Sequence, residues 1–493
     1  MQPTEQDTSP MARAAAASAD GAGGADPASS PLTAQRSPDA PAAADTGALE
    51  PSGGRAWPVP ALLVPACLLF AAHLLRPGAL GPAVACLVWA LACFARRAWM
   101  RYVCVVSLCL MGCQWFVTAG RLIEIRTMMG LPWVRLACIL AGTALVTLAA
   151  AAVCWSRFGR RWFCRGRETA VMQAAAFAVA LCLLLPAFFR HPPMLLADRI
   201  YPGFGAVQIL FGGLWAAMVC GLLADRTRAA KTRLRVWLLF SVVFFAQFFL
   251  SAMGVSLTSM TGSLHLPVPG VILGGAIYRL TPGFMLFLFL FAVLLTGPAW
   301  CSHLCYFGSW DAFAASRRNP ARLAHPLRWR ALSLALMAAC ALALRFSGAP
   351  ASVAVAGGLA LGLAMVPVSL FLSRRRGLAL YCTAVCPLGL VSCLAGRLSP
   401  WRMRATSACT GCGRCLAACR YGALSKETLA RGRTGLSCTL CRECELACPR
   451  GGMAVSFAGR GLPKDGETLG TAGRVFVCLV SGMHAAFLFM AMV

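Results

Sequence analysis

The sequence has few charged residues, and acidic residues are the scarcest of them. Only 13% of the 493 residues are Asp, Glu, Lys or Arg, about half the share of an average soluble domain. That shortage excludes an ordinary soluble fold. The chain also lacks a P-loop, a Gly-rich dinucleotide fingerprint and a Ser/His/Asp arrangement, so nothing in it indicates nucleotide-dependent or hydrolytic chemistry.

Long apolar runs take the place of the missing charge. The chain is 59% hydrophobic, with a mean hydropathy of +0.70, and its apolar segments approach the ~20 residues that a spanning helix needs. We predict about eleven transmembrane helices in an all-α polytopic membrane protein. Their approximate ranges are 57–75, 79–95, 102–120, 136–155, 169–189, 204–224, 236–256, 283–299, 329–346, 351–372 and 473–492.

The basic excess predicts how these helices are oriented. The net charge is +28, and one set of alternate loops holds 21 Lys and Arg whereas the opposite set holds 8. Basic loops stay on the cytoplasmic side, so we expect the N-terminus inside and the C-terminus outside a bacterial inner membrane. The polar stretch 373–472 is then cytoplasmic. The basic residues are therefore explained by their role in orienting the chain in the lipid membrane. No nucleic-acid partner is expected.

Composition also divides the chain into domains. Residues 1–56 are rich in Ala, Ser, Pro and Gly, cannot bury enough apolar surface to fold, and are predicted to form a disordered tail. We predict about six N-terminal membrane helices over 57–235 and a second membrane domain over 236–400. A cytoplasmic domain over 401–460 and a last transmembrane helix over 473–493 complete the chain.

Eight of the 26 cysteines are concentrated in the polar stretch. They form two C-x2-C-x2-C-x3-C runs, the pattern that holds paired [4Fe–4S] clusters in bacterial ferredoxins, where the fourth Cys of each run serves the other cluster. This predicts a small α+β two-cluster ferredoxin-like domain inserted before the last helix. The first cluster is assigned to Cys409, Cys412, Cys415 and Cys448, and the second to Cys438, Cys441, Cys444 and Cys419.

Zinc and disulfides are the competing interpretations of these cysteines. Zinc sites use four-Cys sets with a longer gap between CxxC pairs, and a reducing cytosol disfavours disulfides. The iron–sulfur interpretation is therefore preferred. Free cysteines within apolar segments pack as small hydrophobic side chains, and we assign a structural role to eleven of them: Cys67, Cys86, Cys93, Cys104, Cys109, Cys113, Cys138, Cys154, Cys164, Cys182 and Cys220.

Two shorter cysteine pairs share the pattern C-x3-C-x-x-G. Cys301 and Cys305 follow one spanning segment, and Cys382 and Cys386 follow another that runs in the same direction. The two pairs can therefore lie side by side beneath the membrane. Three residues between thiols suit either a shared four-Cys metal or third-cluster site or a redox-active dithiol. Chance burial is the remaining alternative.

These motifs together resemble a known family, the NapH/NosR-type membrane iron–sulfur proteins, whose polyferredoxin-like members act as membrane components of quinol dehydrogenases. The resemblance covers 236–460 and is carried by Gly297 to Cys301, Cys382 to Gly389 and the eight-Cys stretch. Tyr306 stands where the family has Pro in the first pair. The resemblance implies electron transfer between the quinone pool and a partner oxidoreductase, or support of its maturation.

Histidines provide two further candidate sites. His265, in the segment between Thr261 and Pro282, could accept a proton at a quinol site, although a plain connecting loop is the preferred interpretation of that segment. His73 and His484 lie in or beside spanning segments at different depths, so no haem is expected.

The sequence thus predicts a membrane-bound iron–sulfur protein that passes electrons between quinone and a redox partner protein. Two other interpretations remain open at this stage: an accessory factor that reduces or delivers a metal for another enzyme, and a redox sensor.

Overall fold

The computed structural model describes residues 57–190, 193–258, 268–321, 323, 325–464 and 467–490. The predicted tail at 1–56 and the candidate His265 lie outside the described residues. Within them the chain is an all-α polytopic protein with one small two-stranded sheet.

Ten helices are long and apolar enough to cross a membrane in the part of the chain that the structure describes. They are α1 (Pro58–Leu75), α3 (Ala98–Met128), α4 (Val134–Trp155), α6 (Ala170–Phe188), α8 (Gly205–Ala224), α9 (Ala229–Ala252), α11 (Phe284–Thr296, continued by turns to Leu304), α13 (Pro326–Phe346), α14 (Ala351–Arg376) and α19 (Thr471–Met490). The segment predicted at 79–95 is shorter than the rest, because α2 (Leu80–Ala92) ends in a 3-10 turn at Cys93–Ala95.

Shorter helices and turns connect the spans. They are α5 (Arg157–Trp162), α7 (Leu196–Ile200), α10 (Pro269–Arg279), α12 (Tyr306–Ala315), α15 (Pro387–Ala395), α16 (Arg414–Ala418), α17 (Lys426–Ala430) and α18 (Glu443–Ala447). Two 3-10 turns lie at Ser256–Thr258 and Gly297–Ala299, and two π turns lie at Trp300–Leu304 and Tyr381–Val385.

The helix α10 replaces part of what the sequence indicated as a connecting loop. Val268, just before it, lies against Gly362 in the middle of α14, whereas Tyr278 near its end donates a hydrogen bond to the Ala349 carbonyl just before α14 begins, at 2.6 Å. The α10 helix therefore runs beside only the first half of α14. Its apolar residues explain this position, since Ile272 and Leu273 are buried in the core.

Residues 401–460 form a compact polar unit at one end of the bundle. Its two strands, β1 (Trp401–Ala405) and β2 (Met453–Phe457), pair antiparallel with Trp401 opposite Phe457. The unit packs against the end where α9 and α19 begin and α14 ends. We call this end the iron–sulfur face.

The last helix, α19, connects the two halves of the chain. It packs against α6 and α8 from the N-terminal half, and against β2 and α9. Most of its residues are buried, including Phe476 and Ala485. The small Gly482 allows this approach, because an added side chain there would meet Val179 of α6.

Candidate iron–sulfur centres

The two eight-Cys runs fold into the same local structure. In each run, two residues just before the short helix have a left-handed backbone conformation with positive φ. They are Gly411 and Gly413 before α16, and Leu440 and Arg442 before α18. Glycine adopts positive φ without cost, whereas a residue with a Cβ pays about 1–2 kcal/mol. The second run therefore keeps the loop shape despite strain, which indicates that the shape itself is needed.

The first run and the end of the second line a cavity of about 230 Å³. Cys409, Cys412, Cys415 and Cys448 all face it. They are the four residues that the sequence assigns to one cluster. The Gly452 N–H donates a hydrogen bond to Cys448 Sγ at 3.1 Å, an interaction that stabilises a thiolate and tunes the potential of a cluster bound to it.

The second run and the end of the first line a smaller cavity in the same unit. Cys438, Cys441, Cys444 and Cys419 face it, which is the other predicted set. The Ala423 N–H donates to Cys419 Sγ at 3.2 Å, at the same offset of four residues as in the first site. The duplication seen in the sequence is therefore also a structural one.

The donor set fits a cubane cluster better than a single ion. A structural zinc would need four sulfurs each about 2.3 Å from one point, and no group of three or more metal-binding side chains converges in this way among the described residues. A cubane separates its four irons, so its thiolates surround a volume. The assignment of these eight cysteines as ligands stays a prediction.

The two sites differ in their access to solvent. Cys412 is exposed, and a hydrogen bond from the Arg414 amide lowers the pKa of its thiol. Cys444 is buried, and burial raises the pKa of its thiol. Arg414 and Arg450 are exposed beside the first cavity. The first site therefore faces outward and the second faces the membrane helices.

Arginines and one glutamate fix the polar unit to the bundle. Glu443 accepts one hydrogen bond from buried Arg233 of α9, at 2.5 Å, and forms an ion pair with Arg420 at 3.3 Å. Arg420 also donates to the carbonyls of Ala315, at 2.5 Å, and Arg318, at 2.9 Å. This explains why Arg stands at 420, where the second run has Pro.

A second set of contacts lies on the other side of the unit. Arg226 donates to the carbonyls of Glu445, at 3.0 Å, and Cys448, at 2.6 Å. Arg442 forms a buried bidentate pair with Glu445 and donates to the Leu223 carbonyl at 3.2 Å. These basic residues hold the polar unit against the bundle. The count of Lys and Arg in alternate loops could not indicate this role.

The two short cysteine pairs adopt the same backbone. In each pair the first Cys lies inside a π turn, and the backbone N–H of the second Cys donates a hydrogen bond to the carbonyl five residues before it. These bonds join Cys305 to Trp300 at 2.9 Å and Cys386 to Tyr381 at 2.8 Å. The second Cys then precedes a helix that turns back among the spans, α12 or α15. The four thiols share one buried core cluster.

The glycine of each C-x3-C-x-x-G pattern has a steric reason. A Cβ added at Gly308 would come within 2.9 Å of the Cys301 carbonyl oxygen, and one added at Gly389 within 3.2 Å of the Cys382 carbonyl oxygen. The glycines therefore let the returning helix pack directly on the turn that carries the first cysteine.

Each π turn is held by polar side chains from a neighbouring span. On α9, Arg233, Trp237 and Ser241 donate to the carbonyls of Ser302, at 2.8 Å, Cys305, at 2.9 Å, and Tyr306, at 2.8 Å, respectively. Their spacing of four residues places them on one helix face. Sequence reasoning missed this row of donors because Arg233 counts there only as one of the loop arginines that predict the orientation of the helices.

On α13 the corresponding residue is Arg330, which is fully buried. It donates to the Cys382 carbonyl at 2.7 Å and 3.0 Å and to Cys393 Sγ at 2.8 Å. Asp311 accepts the Cys382 N–H at 2.9 Å, and burial raises the pKa of its carboxyl to about 6. Arg330 forms no ion pair in the described parts of the chain. A buried cation that interacts electrostatically with the thiols of Cys301 and Cys386 fits an anionic cluster there.

One continuous apolar cluster connects the pairs with the second ferredoxin-type site. Tyr381, Cys382 and Cys386 belong to it together with Tyr421, and Cys441 packs against it. Ser302 adds a direct link, because its hydroxyl donates to the Thr439 carbonyl at 2.6 Å. The pairs and the second site are therefore adjacent.

The two candidate haem histidines lie in different clusters. His73 contacts Trp115 and Thr118, whereas His484 lies 3.0 Å from the Val236 carbonyl and packs on Phe240. The structure does not bring these two side chains together.

Comparison with known proteins gives one match. A family model described as a 4Fe-4S binding domain matches residues 280–321 and 358–405. The protein is an iron–sulfur protein of the ferredoxin type. The matched segments contain the two short pairs with their π turns. No curated protein matches the chain, and no solved structure does.

Proposed function

We propose that the protein transfers electrons between the membrane quinone pool and a partner oxidoreductase. The observation that carries the proposal is the unbroken series of cysteine sites: the two pairs between the spans, the buried second site against them, and the exposed first site beyond. Iron–sulfur clusters supply one-electron transfer. The chain positions them, excludes water from the inner ones and leaves one accessible.

The cavities support the ligand sets of this proposal. Cys409, Cys412, Cys415 and Cys448 hold one [4Fe–4S] cluster, and Cys419, Cys438, Cys441 and Cys444 hold the other. Cys301, Cys305, Cys382 and Cys386 hold a third cluster, whose net charge of about −2 when oxidised is balanced in part by Arg330. The burial of these four thiols argues against a dithiol that exchanges with other proteins, because thiol exchange needs access.

The exposed site supplies the partner-facing end. Arg414 and Arg450 beside Cys412 give this surface a positive charge, so the partner presents an acidic surface. Attraction between such surfaces raises the association rate and weakens with salt. From the distribution of basic loops we infer that this face lies on the cytoplasmic side of a bacterial inner membrane.

The test is a count of iron and acid-labile sulfide on anaerobically purified protein, followed by EPR after addition of a short-chain quinol. We expect about 12 irons per chain and EPR signals that the quinol produces. About 8 irons would restrict the clusters to residues 401–460. A zinc-only preparation, or clusters that dithionite reduces and quinol does not, would overturn the proposed electron transfer with the quinone pool.

A further inference from the structure

A large apolar cavity lies between α10, α13 and α14, apart from the cysteine sites themselves. Its volume is about 620 Å³, within the ~300–1,000 Å³ of typical small-molecule sites. It follows α13 from Trp329 to Leu344, about 22 Å at the rise of an α-helix. Its shape therefore suits an elongated apolar molecule.

The cavity is open on the lipid-facing side of the bundle. Trp329, Leu332, Leu336 and Leu361 line it and are themselves at least half exposed. A molecule dissolved in the bilayer can enter there without crossing water.

The inner end of the cavity touches the second π turn. Ala384 and Val385, which lie between Cys382 and Cys386, form part of its wall together with Tyr381. The Ser333 hydroxyl donates to the Val385 carbonyl and fixes this wall to α13. A ligand in the cavity is thus separated from the cysteine pair only by the turn that carries the pair.

The other end carries the polar residues of α10. Tyr278 and Arg279 line the cavity where α10 ends, and the Tyr278 hydroxyl is already bonded to the Ala349 carbonyl. Arg279 is exposed. Protons released at the second π turn instead have a short route to water beside Trp329, which is half exposed at the opposite end of the cavity.

We propose that this cavity binds an isoprenoid quinone, with the ring at the second π turn and the isoprenoid tail along α13 and α14. The inference rests on the proposed function, because a redox-active ligand needs the cysteine sites as its electron acceptor. Oxidation of one quinol gives one quinone, releases two protons to water and delivers two electrons, one to each of two cluster sites. The site differs from the sequence-based candidate His265.

Two glycines allow the cavity to be filled without disturbing the bundle. Gly357 of α14 and Gly270 of α10 line it, and a Cβ built on either meets no atom within 4 Å. Gly142 of α4 has equally open surroundings and does not line the cavity. Gly357→Leu and Gly270→Leu are therefore two independent filling variants, and Gly142→Leu is the matched control.

The experiment uses the full-length protein in phospholipid vesicles with a photoreactive azido-quinone. We expect labelled peptides from α13 and α14, labelling reduced at least ten-fold in Gly357→Leu and Gly270→Leu, and wild-type labelling in Gly142→Leu. Equal labelling of all four proteins would overturn the site. So would labelling that an excess of unmodified quinone does not reduce, because the cavity would then not be selective for quinone over the surrounding phospholipid.

Reduction kinetics separate this inference from the proposed function. The same proteins are mixed with a short-chain quinol and cluster reduction is followed by absorbance. The cavity is supported as the quinone site if quinol reduces the clusters at the wild-type rate in Gly142→Leu but slowly in the filled variants Gly357→Leu and Gly270→Leu. Wild-type rates in those variants overturn the cavity while the proposed function stands. Specific photolabelling without any reduction of the wild-type protein by quinol supports quinone binding in the cavity and overturns the proposed electron transfer with the quinone pool.

Discussion

At the residue scale, single side chains connect parts of the chain that are far apart in sequence. Glu443 is the clearest case, since it pairs with Arg233 of a membrane helix and with Arg420 of the same polar unit. Both arginines are largely buried, so these contacts are less screened than surface pairs. Such residues determine where the cluster sites lie relative to the membrane helices.

Replacing Arg420 with Ala is expected to loosen the polar unit. The change removes charge-assisted hydrogen bonds to two carbonyls at the end of α12, each worth about 1.5–3 kcal/mol, and the ion pair with Glu443. Faster hydrogen exchange across 401–460 relative to wild type is the expected result. Arg431→Ala, at an exposed position of the same unit, is the control. Identical exchange in both variants would contradict the docking role.

Replacing Arg330 with Gln is expected to remove the cluster between the cysteine pairs. Gln keeps a donor for the Cys382 carbonyl but loses the positive charge that acts on the Cys301 and Cys386 thiols. Iron should fall from about 12 to about 8 per chain, with the signals of residues 401–460 retained. Arg328→Gln, an exposed position on the same helix, should leave the iron count unchanged. Full iron content in Arg330→Gln would show that the charge is dispensable.

At the element scale, the second membrane domain contains a repeated unit. A donor helix (α9 or α13), a span (α11 or α14), a π turn and a returning short helix (α12 or α15) occur twice. Hydrogen bonds from each donor helix fix the π turn of its own unit. The two units bring their cysteine pairs into one buried cluster.

Gly308→Ala is expected to disturb the first π turn. The added methyl would lie within 2.9 Å of the Cys301 carbonyl oxygen and of Trp237, and overpacking of this kind costs about 1–3 kcal/mol. Iron at the pairs should be lost more readily on mild chelation than in wild type. Gly357→Ala, whose Cβ meets no atom within 4 Å, serves as the control and should retain iron.

Sequence alone predicts most of these elements and few of their contacts. Hydropathy locates the long spans, since burial in lipid and helix length leave their signature in any 20-residue window. Cysteine spacing predicts the duplicated ferredoxin-type unit. The sequence could not reveal that α10 is a helix beside the first half of α14. An 11-residue apolar stretch rich in glycine is too short to be recognised as a spanning helix. Nor could the sequence reveal Arg330 or Glu443, whose roles depend on packing between distant segments.

At the scale of the whole molecule, charge is distributed along one axis. Basic residues cluster in alternate connections, and the polar unit with its exposed Arg414 and Arg450 lies at the iron–sulfur face. The same asymmetry that predicts the orientation of the helices therefore gives the exposed cysteine site a basic surface. In the function proposed above, orientation and partner choice both depend on this one compositional bias.

The predicted orientation is tested with reporter fusions. Alkaline phosphatase needs an oxidising compartment for its disulfides, so a fusion after Val493 should be active and a fusion after Arg460 inactive. Immunoblotting of both fusions is the control for expression. Activity at Arg460 would place the iron–sulfur face outside.

The burial of α19 also constrains how the protein is made. This helix is synthesised hundreds of residues after α6 and α8, yet it packs against both of them and most of its residues are buried. The N-terminal bundle must therefore wait with an open groove while the cysteine-rich unit is translated. Clusters can be inserted during that interval, before α19 closes the bundle and draws the second site against the membrane helices.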